Sequence, residues 1–311
     1  MLDGRFNQLS IFHVNIDIIR GSSLVINNKE KLPNLSSFVL YTAHYTNSYD
    51  KLIVPLLHRM TNLERLHLSF VGYVTKSFID GNNLKQNIIY HMPLLKKFIF
   101  NIRSVWFDSP MNIPSTEDIQ QTFKDLKDMH IISCVDYFQK EKYSQCLVYS
   151  YPYELKHYRE ITNQFPGGLF RCVREVSLHD EYPFEHEFFL RVARSFPLLE
   201  ELTLINKKKQ INRCIQNQNK HLPIIKYSHL IQLDLSEADQ DYYEQFLFDT
   251  KTCLPNNLRV RMNYQSVKKV TRNFRRNTTR YNCIKIIHAR FYNKFNFPEH
   301  LKDYFPNAYI C

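Results

Sequence analysis

Side chains that act in pairs offer the first test of what this chain can do, and their spacing defeats most catalytic readings. His186-Glu187 would begin a zinc-binding helical motif if a second histidine lay one turn on, but Phe188, Phe189 and Leu190 follow. His13, His67, His130 and His288 fall at equivalent places in a repeated phrase. The first three lie on alternate copies, roughly 10 Å apart at a strand spacing of about 4.8 Å. Zinc draws its ligands to within about 2.1 Å of one point, so these histidines are expected to be polar filler. Asp125 and Asp128 lie in a phrase where charge belongs on the solvent side, and the chain has no glycine-rich phosphate loop and no Gly-x-Ser-x-Gly. The expectation is a protein that is not an enzyme, with no metal and no cofactor.

Two other groups of residues suit recognition. Residues 134–168 hold Tyr137, Tyr143, Tyr149, Tyr151, Tyr153 and Tyr158, and Leu147 to Tyr153 reads as an extended segment. Tyrosine gives a large rigid contact with a polar tip, so Tyr149, Tyr151 and Tyr153 are candidate contacts. Gly167-Gly168 after Pro166 predicts a sharp turn. From Ser266 to Arg276, Val267, Val270 and Phe274 share one helical face, while Lys268, Lys269, Arg272, Arg275 and Arg276 cover the rest. That pattern predicts an outer helix with a basic exterior, able to attract an acidic protein or phosphate. Aromatic interleaving of the kind that stacks bases is weak there, which disfavours nucleic acid.

The element that must position these residues is a phrase repeated along the chain: apolar-x-x-apolar-x-x-apolar-x-apolar. Its copies include Leu32, Leu35, Phe38, Leu40; Met60, Leu63, Leu66, Leu68; Met92, Leu95, Phe98, Phe100; and Phe123, Leu126, Met129, Ile131. It returns as Phe170, Val173, Val176, Leu178; Phe196, Leu199, Leu202, Leu204; Tyr227, Leu230, Leu233, Leu235; and Tyr281, Ile284, Ile287, Ala289. Phe6, Leu9, Phe12 and Val14 open the series. Leu258, Val260 and Met262 stand where a further copy belongs, one residue out of register. Each phrase ends in the alternation of a half-buried strand. Helical spacing precedes it, as in Leu52, Ile53, Leu56, Leu57 and Met60, or Phe184, Phe188, Phe189, Val192 and Phe196. Prolines such as Pro33, Pro93 and Pro197 stop the helix before the strand.

Most steps between copies match a leucine-rich repeat. The fold expected is an α/β leucine-rich-repeat solenoid of about ten irregular repeats: a curved parallel sheet inside, helices outside, over one domain from 1 to 311. Residues flanking the last two apolar positions then face the concavity. Among them Arg65, His67, Lys97, Asn101, Asp128, His130, Glu175, His179 and Glu201 are the candidate binding residues. Residues 250–298 form a basic C-terminal part.

Composition agrees. The 311 residues are 44% hydrophobic, enough for a continuous core, and no apolar run reaches the roughly 18 residues of a membrane helix. With no apolar leader at the start, a place inside the cell, cytoplasmic or nuclear, is expected. Seven cysteines without a Cys-x-x-Cys pair read as reduced, mostly buried thiols, Cys146, Cys172 and Cys283 among them. The net charge of +11 is carried by the last third, since residues 1–205 hold 22 basic and 22 acidic side chains.

Three stretches resemble a divergent F-box-like protein family with irregular leucine-rich repeats: Leu2 to Leu9, Asn163 to Phe170 with Val173 to Leu178, and Pro183 to Phe189. The resemblance implies a substrate-recognition part of an F-box type ubiquitin-ligase receptor, holding a protein substrate in its concavity. The F-box itself is missing, with too few residues before Phe6 to hold it, so the cullin-ligase adaptor is a partner only if an F-box precedes this chain. The repeat asparagine is replaced by Ala43, Val71 and Arg103, which predicts irregular turns. The alternative is a stand-alone repeat scaffold that binds an acidic protein or RNA through its basic end.

Overall fold

The computed structural model describes residues 8–20, 30–108, 112–126, 128–211, 222–293 and 297–311. It is mixed α/β with parallel sheets, and it divides into two compact units, residues 1–152 and 153–311. The boundary falls inside the tyrosine-rich stretch that the sequence presents as one insertion.

The first unit runs β1 (Ile11–Ile16), β2 (Ser37–Thr46), α1 (Val54–Leu57), β3 (Arg65–Tyr73), α2 (Gly81–Asn87), β4 (Lys97–Phe107), α3 (Thr116–Gln121), β5 (His130–Phe138) and β6 (Tyr143–Tyr151). Its sheet has the order β1-β2-β3-β4-β6-β5. The repeated phrase sets the register: Phe38 pairs with Leu66 and Leu66 with Phe98; Leu40 pairs with Leu68 and Leu68 with Phe100. These residues are buried, and with Leu35, Leu57, Met60, Leu63, Leu84, Ile88 and Met92 they form one core. Each such side chain contributes about 1.5–3 kcal/mol on leaving water.

Short helices are fixed at their starts. Asp80 accepts from the Asn83 N–H at 2.8 Å to open α2, and Ser115 with Asp118 forms a reciprocal capping box on α3. Gly81 is required where it stands, because a Cβ there would lie 2.4 Å from the Thr122 carbonyl oxygen. The insertion breaks the parallel progression: β6 pairs antiparallel with both β4 and β5.

The second unit runs β7 (His157–Ile161), β8 (Glu175–His179), α4 (His186–Ser195), β9 (Glu201–Asn206), β10 (Ile225–Lys226), β11 (Gln232–Ala238), α5 (Gln240–Leu247), β12 (Thr252–Cys253), β13 (Leu258–Asn263), α6 (Tyr264–Val270), α7 (Asn277–Cys283), β14 (Ile286–Tyr292), α8 (Leu301–Tyr304) and β15 (Tyr309–Ile310). Its main sheet is parallel throughout, in the order β15-β14-β13-β11-β9-β8-β7. The expected helix over Phe184–Phe196 forms as α4, and Phe184, Phe188, Phe189, Val192 and Phe196 are all buried. Gly167 and Gly168 make the expected turn with φ of +88° and +130°, and Phe170 beyond it donates its N–H to the Ser195 carbonyl at 2.8 Å.

Three sequence expectations need correction. The basic segment is not one helix: α6 ends at Val270, and Arg272, Asn273 and Phe274 adopt left-handed backbone with φ of +51°, +56° and +60°. Phe274 therefore enters the core through a turn and not by helical spacing. In the last copy of the phrase, Ile286 is buried while Ile287, Ile284 and Tyr281 are exposed, the reverse of the alternation expected. The cause is a bulge: Leu258 pairs with Ile286 but Arg259 with His288, so Ile287 is the extra residue. Cys172 is exposed, and only Cys146 and Cys283 are buried among the six cysteines described. Two asparagines of the second unit satisfy backbone groups. Asn206 donates to the Tyr182 carbonyl at 2.7 Å, and buried Asn282 donates to the Thr252 carbonyl at 2.7 Å and accepts from the Leu254 N–H at 3.2 Å.

Candidate binding face

Because side chains alternate along a strand, the residues between the buried positions all emerge from the other face of each sheet. In the first unit they align in rows. Ile11, Ser37, Arg65 and Lys97 stand side by side across β1 to β4, and His13, Val39, His67 and Ile99 form the next row. The third is Asn15, Tyr41, Ser69 and Asn101, carried on by Tyr149 and Ile132 across β6 and β5. Arg65 and Lys97 are exposed, and His67 and Asn101 are half-buried. Asp128 is exposed in the turn before β5, outside any strand, and His130 begins that strand with its ring 5.3 Å from Tyr151.

The tyrosines expected as contacts are mostly core. Tyr149 is fully buried in the middle of β6, and Tyr153 is buried with its hydroxyl donating to the His157 carbonyl at 2.7 Å. Tyr151 is half-buried. Tyr153 and Tyr158 pack with Phe165, Phe170 and Phe196 into one aromatic cluster of the second unit. For Tyr149 the sequence signal was the preceding Leu147-Val148, since a tyrosine in an apolar run has as good a claim on the interior as on an interface.

In the second unit the outward rows are longer and charged. The first is His157, Glu175, Glu201, Gln232, Arg259, His288 and Tyr309, one from each strand of the sheet. The next is Ser177, Thr203, Asp234, Arg261 and Arg290. Glu201, Arg259 and Arg290 are exposed, and Glu175 is half-buried. His157 Nδ1 lies 2.8 Å from the Glu175 carboxylate, close enough for an ion pair but poorly aligned for a hydrogen bond. Gln232 donates to Glu201 at 3.4 Å, and Arg261 reaches Asp234 at 3.4 Å. His179 ends β8 half-buried, beside Ile205. Sequence reasoning left Arg259 and Arg261 out of these rows because their copy looked out of register. The Leu258-x-Val260-x-Met262 alternation held the signal that they point outward.

The basic segment lies on a different element. Lys268, Lys269, Arg272 and Arg275 are exposed. Arg276 is committed: it donates to the Val270 carbonyl at 3.1 Å, and its guanidinium lies 4.3 Å from the centre of the Phe248 ring. Lys269 also lines a polar cleft of about 810 Å³ at the carboxyl ends of β9, β11, β13 and β14, with Lys207, Lys209, Glu237, Asp239 and Asp241. The acidic groups there serve local structure. Asp239 caps α5, Asp241 accepts from the Gln210 N–H at 3.0 Å, and Glu237 holds Lys207 at 2.9 Å. That last contact raises the Lys207 pKa above the ordinary lysine value.

No family model matches the chain. Neither a curated protein nor a solved structure matches it. Among the described residues, no helix is long and apolar enough to cross a membrane, and no cluster of three or more His, Cys, Asp or Glu is set to hold a metal ion.

Proposed function

We propose that this chain is a non-catalytic protein-binding module of the leucine-rich-repeat kind, and that it serves as the substrate-recognition part of an F-box type ubiquitin-ligase receptor. One observation carries the reading. In both units the repeated phrase puts apolar residues on one sheet face and aligns the intervening residues, many of them polar or charged, strand by strand on the other. A row of adjacent side chains on rigid strands is a contact surface whose geometry is fixed before a partner arrives, which lowers the cost of binding. On this reading the rows line the inside of a curved solenoid, with the helices outside it. The adaptor of a cullin ligase joins only where an F-box precedes the chain.

A photo-crosslinking amino acid placed at Thr203 or Arg65, within the rows, tests this against the same probe at Glu187 on α4. Crosslinks in cells to a partner protein from the row positions are the expected result. Crosslinks from Glu187 alone, or none, overturn the reading. The receptor role adds a second demand: the crosslinked partner accumulates when the chain is depleted and falls again when it is restored.

A second reading rests on the exposure of Lys268, Lys269, Arg272 and Arg275, which leaves four cations open to an acidic protein or RNA. Such binding weakens steeply with salt. It is lost when Lys268, Lys269, Arg272, Arg275 and Arg276 are all changed to Ser, whereas binding at the sheet rows survives.

A further inference from the structure

The outward face of the second unit's sheet is electrically polarised along one direction. Reading across the strands, Glu175 on β8, with His157 Nδ1 2.8 Å away, and Glu201 on β9, which accepts from Gln232 at 3.4 Å, form an acidic end. Arg259 on β13 and Arg290 on β14 form a basic end, and neither makes an ion pair among the described residues. Between them β11 carries uncharged Gln232 and Asp234, whose charge Arg261 on β13 neutralises at 3.4 Å. The ends are therefore separated by a neutral middle that can still form hydrogen bonds. Exposed Tyr309 closes the basic side, its ring 5.5 Å from His288.

The strand order fixes the dimensions. β9 and β13 are two strands apart, and β8 and β14 are four apart. At about 4.8 Å per step these separations are roughly 10 and 19 Å. An extended peptide rises about 3.3 Å per residue, so three to six residues span from one end to the other.

We infer that this face binds an extended protein segment lying across the strands, with Lys or Arg at one end over Glu175 and Glu201, and Asp or Glu at the other over Arg259 and Arg290. Charge complementarity decides the occupant. A uniformly acidic segment meets the two carboxylates, and a uniformly basic one meets the two guanidiniums, so each is repelled at one end. The neutral middle sets the charge spacing and not the sequence between. The inference rests on the protein-binding reading and adds to it the chemistry of the bound segment.

The test is selection of a random twelve-residue peptide library, displayed on phage, against the immobilised full chain. Enrichment of peptides with basic and acidic residues three to six positions apart is expected, at least tenfold over the starting library. E175K/E201K should then select peptides acidic at both ends, and R259E/R290E peptides basic at both ends. The four-fold swap should restore the two-ended pattern. These positions are at the surface, and circular dichroism of each variant checks that it is folded. A charge pattern unchanged by the swaps overturns the inference, as does enrichment of apolar peptides or none. The failure is distinct from that of the broader reading. If peptides fail here but Thr203 still crosslinks a partner in cells, the face binds protein by other chemistry. If Thr203 and Arg65 both fail, the protein-binding reading itself falls.

Discussion

The two units use the same phrase to build one sheet face and treat the opposite face differently. In the first unit the parallel order is interrupted by β6, and that face carries buried polar groups, Ser69, Arg103 and Gln145, with Tyr149 fully enclosed. Its exposed aromatic surface lies instead at the carboxyl ends of the strands. There Tyr45, Tyr73, Phe107 and Tyr143 form a ladder, with ring centres 4.9, 5.3 and 5.7 Å apart. In the second unit the strands stay parallel and the outward rows remain charged and accessible. Charge follows the same division, with 16 basic and 13 acidic residues in the first unit against 25 and 17 in the second. A repeated apolar pattern thus fixes which face is core without deciding what the other face is for. Topology and the flanking residues decide that.

The contrast can be broken most sharply in the core. Phe189 is fully buried against Phe184, Phe188, Tyr242 and Phe246. Phe189→Ala should destabilise the second unit by about 3–5 kcal/mol. The chain's one tryptophan, Trp106, lies in the first unit and Cys283 is buried in the second, so each unit has its own reporter. Faster denaturant-induced labelling of Cys283, with a smaller change in the Trp106 fluorescence transition, is expected. If the two transitions move together, the units unfold as one and the comparison loses its energetic meaning.

The converse substitution is Gly81→Ala in the first unit. The new methyl would meet the Thr122 carbonyl at 2.4 Å, a backbone atom that cannot swing aside. A loss of about 1–3 kcal/mol is expected, read as a lower midpoint of the Trp106 transition. An unchanged midpoint would show that the loop between α3 and β5 yields freely.

Thiol reactivity sharpens the comparison without mutation. Burial pushes the Cys146 and Cys283 thiols well above the ordinary thiol range, one in each unit, while Cys172 and Cys311 are exposed. A maleimide reagent at pH 7 should label Cys172 and Cys311 within minutes, and Cys146 and Cys283 only after unfolding, as read by peptide mass spectrometry. Native labelling of Cys146 would show that the hairpin of β5 and β6 opens locally.

The smallest effect lies at the cap of α3. Hydrogen bonds from the Ser115 N–H and hydroxyl hold the Asp118 carboxyl below its ordinary value. A carboxyl depressed in the folded chain contributes stability that is present above its unfolded pKa and lost as pH falls through the folded one. Titration of the Asp118 carboxyl by NMR should therefore give a midpoint below that of Ser115→Ala. Equal midpoints would remove the cap from the account.

For most copies of the phrase the sequence alone determined the strand, its buried face and its register, because period-2 alternation and the requirement to bury apolar side chains are local. Leu66 beside Phe98 and Leu202 beside Leu233 follow from the phrase without further information. It also determined the outward rows that hold Arg65, Lys97, Glu175 and Glu201. Other choices were left to long-range packing, because neighbours along the chain do not distinguish them. Tyr149 and Tyr153 could pack or project, and the surrounding sheet enclosed them. Ile286 and Ile287 could exchange faces, and a bulge against β13 chose Ile286 for the interior. The helix read from Ser266 to Arg276 stopped at Val270, since three left-handed residues bring Phe274 to Tyr264 and Tyr304. The polarised face, too, exists only once five strands are ordered side by side, because its charges lie as much as 115 residues apart in sequence, from Glu175 to Arg290.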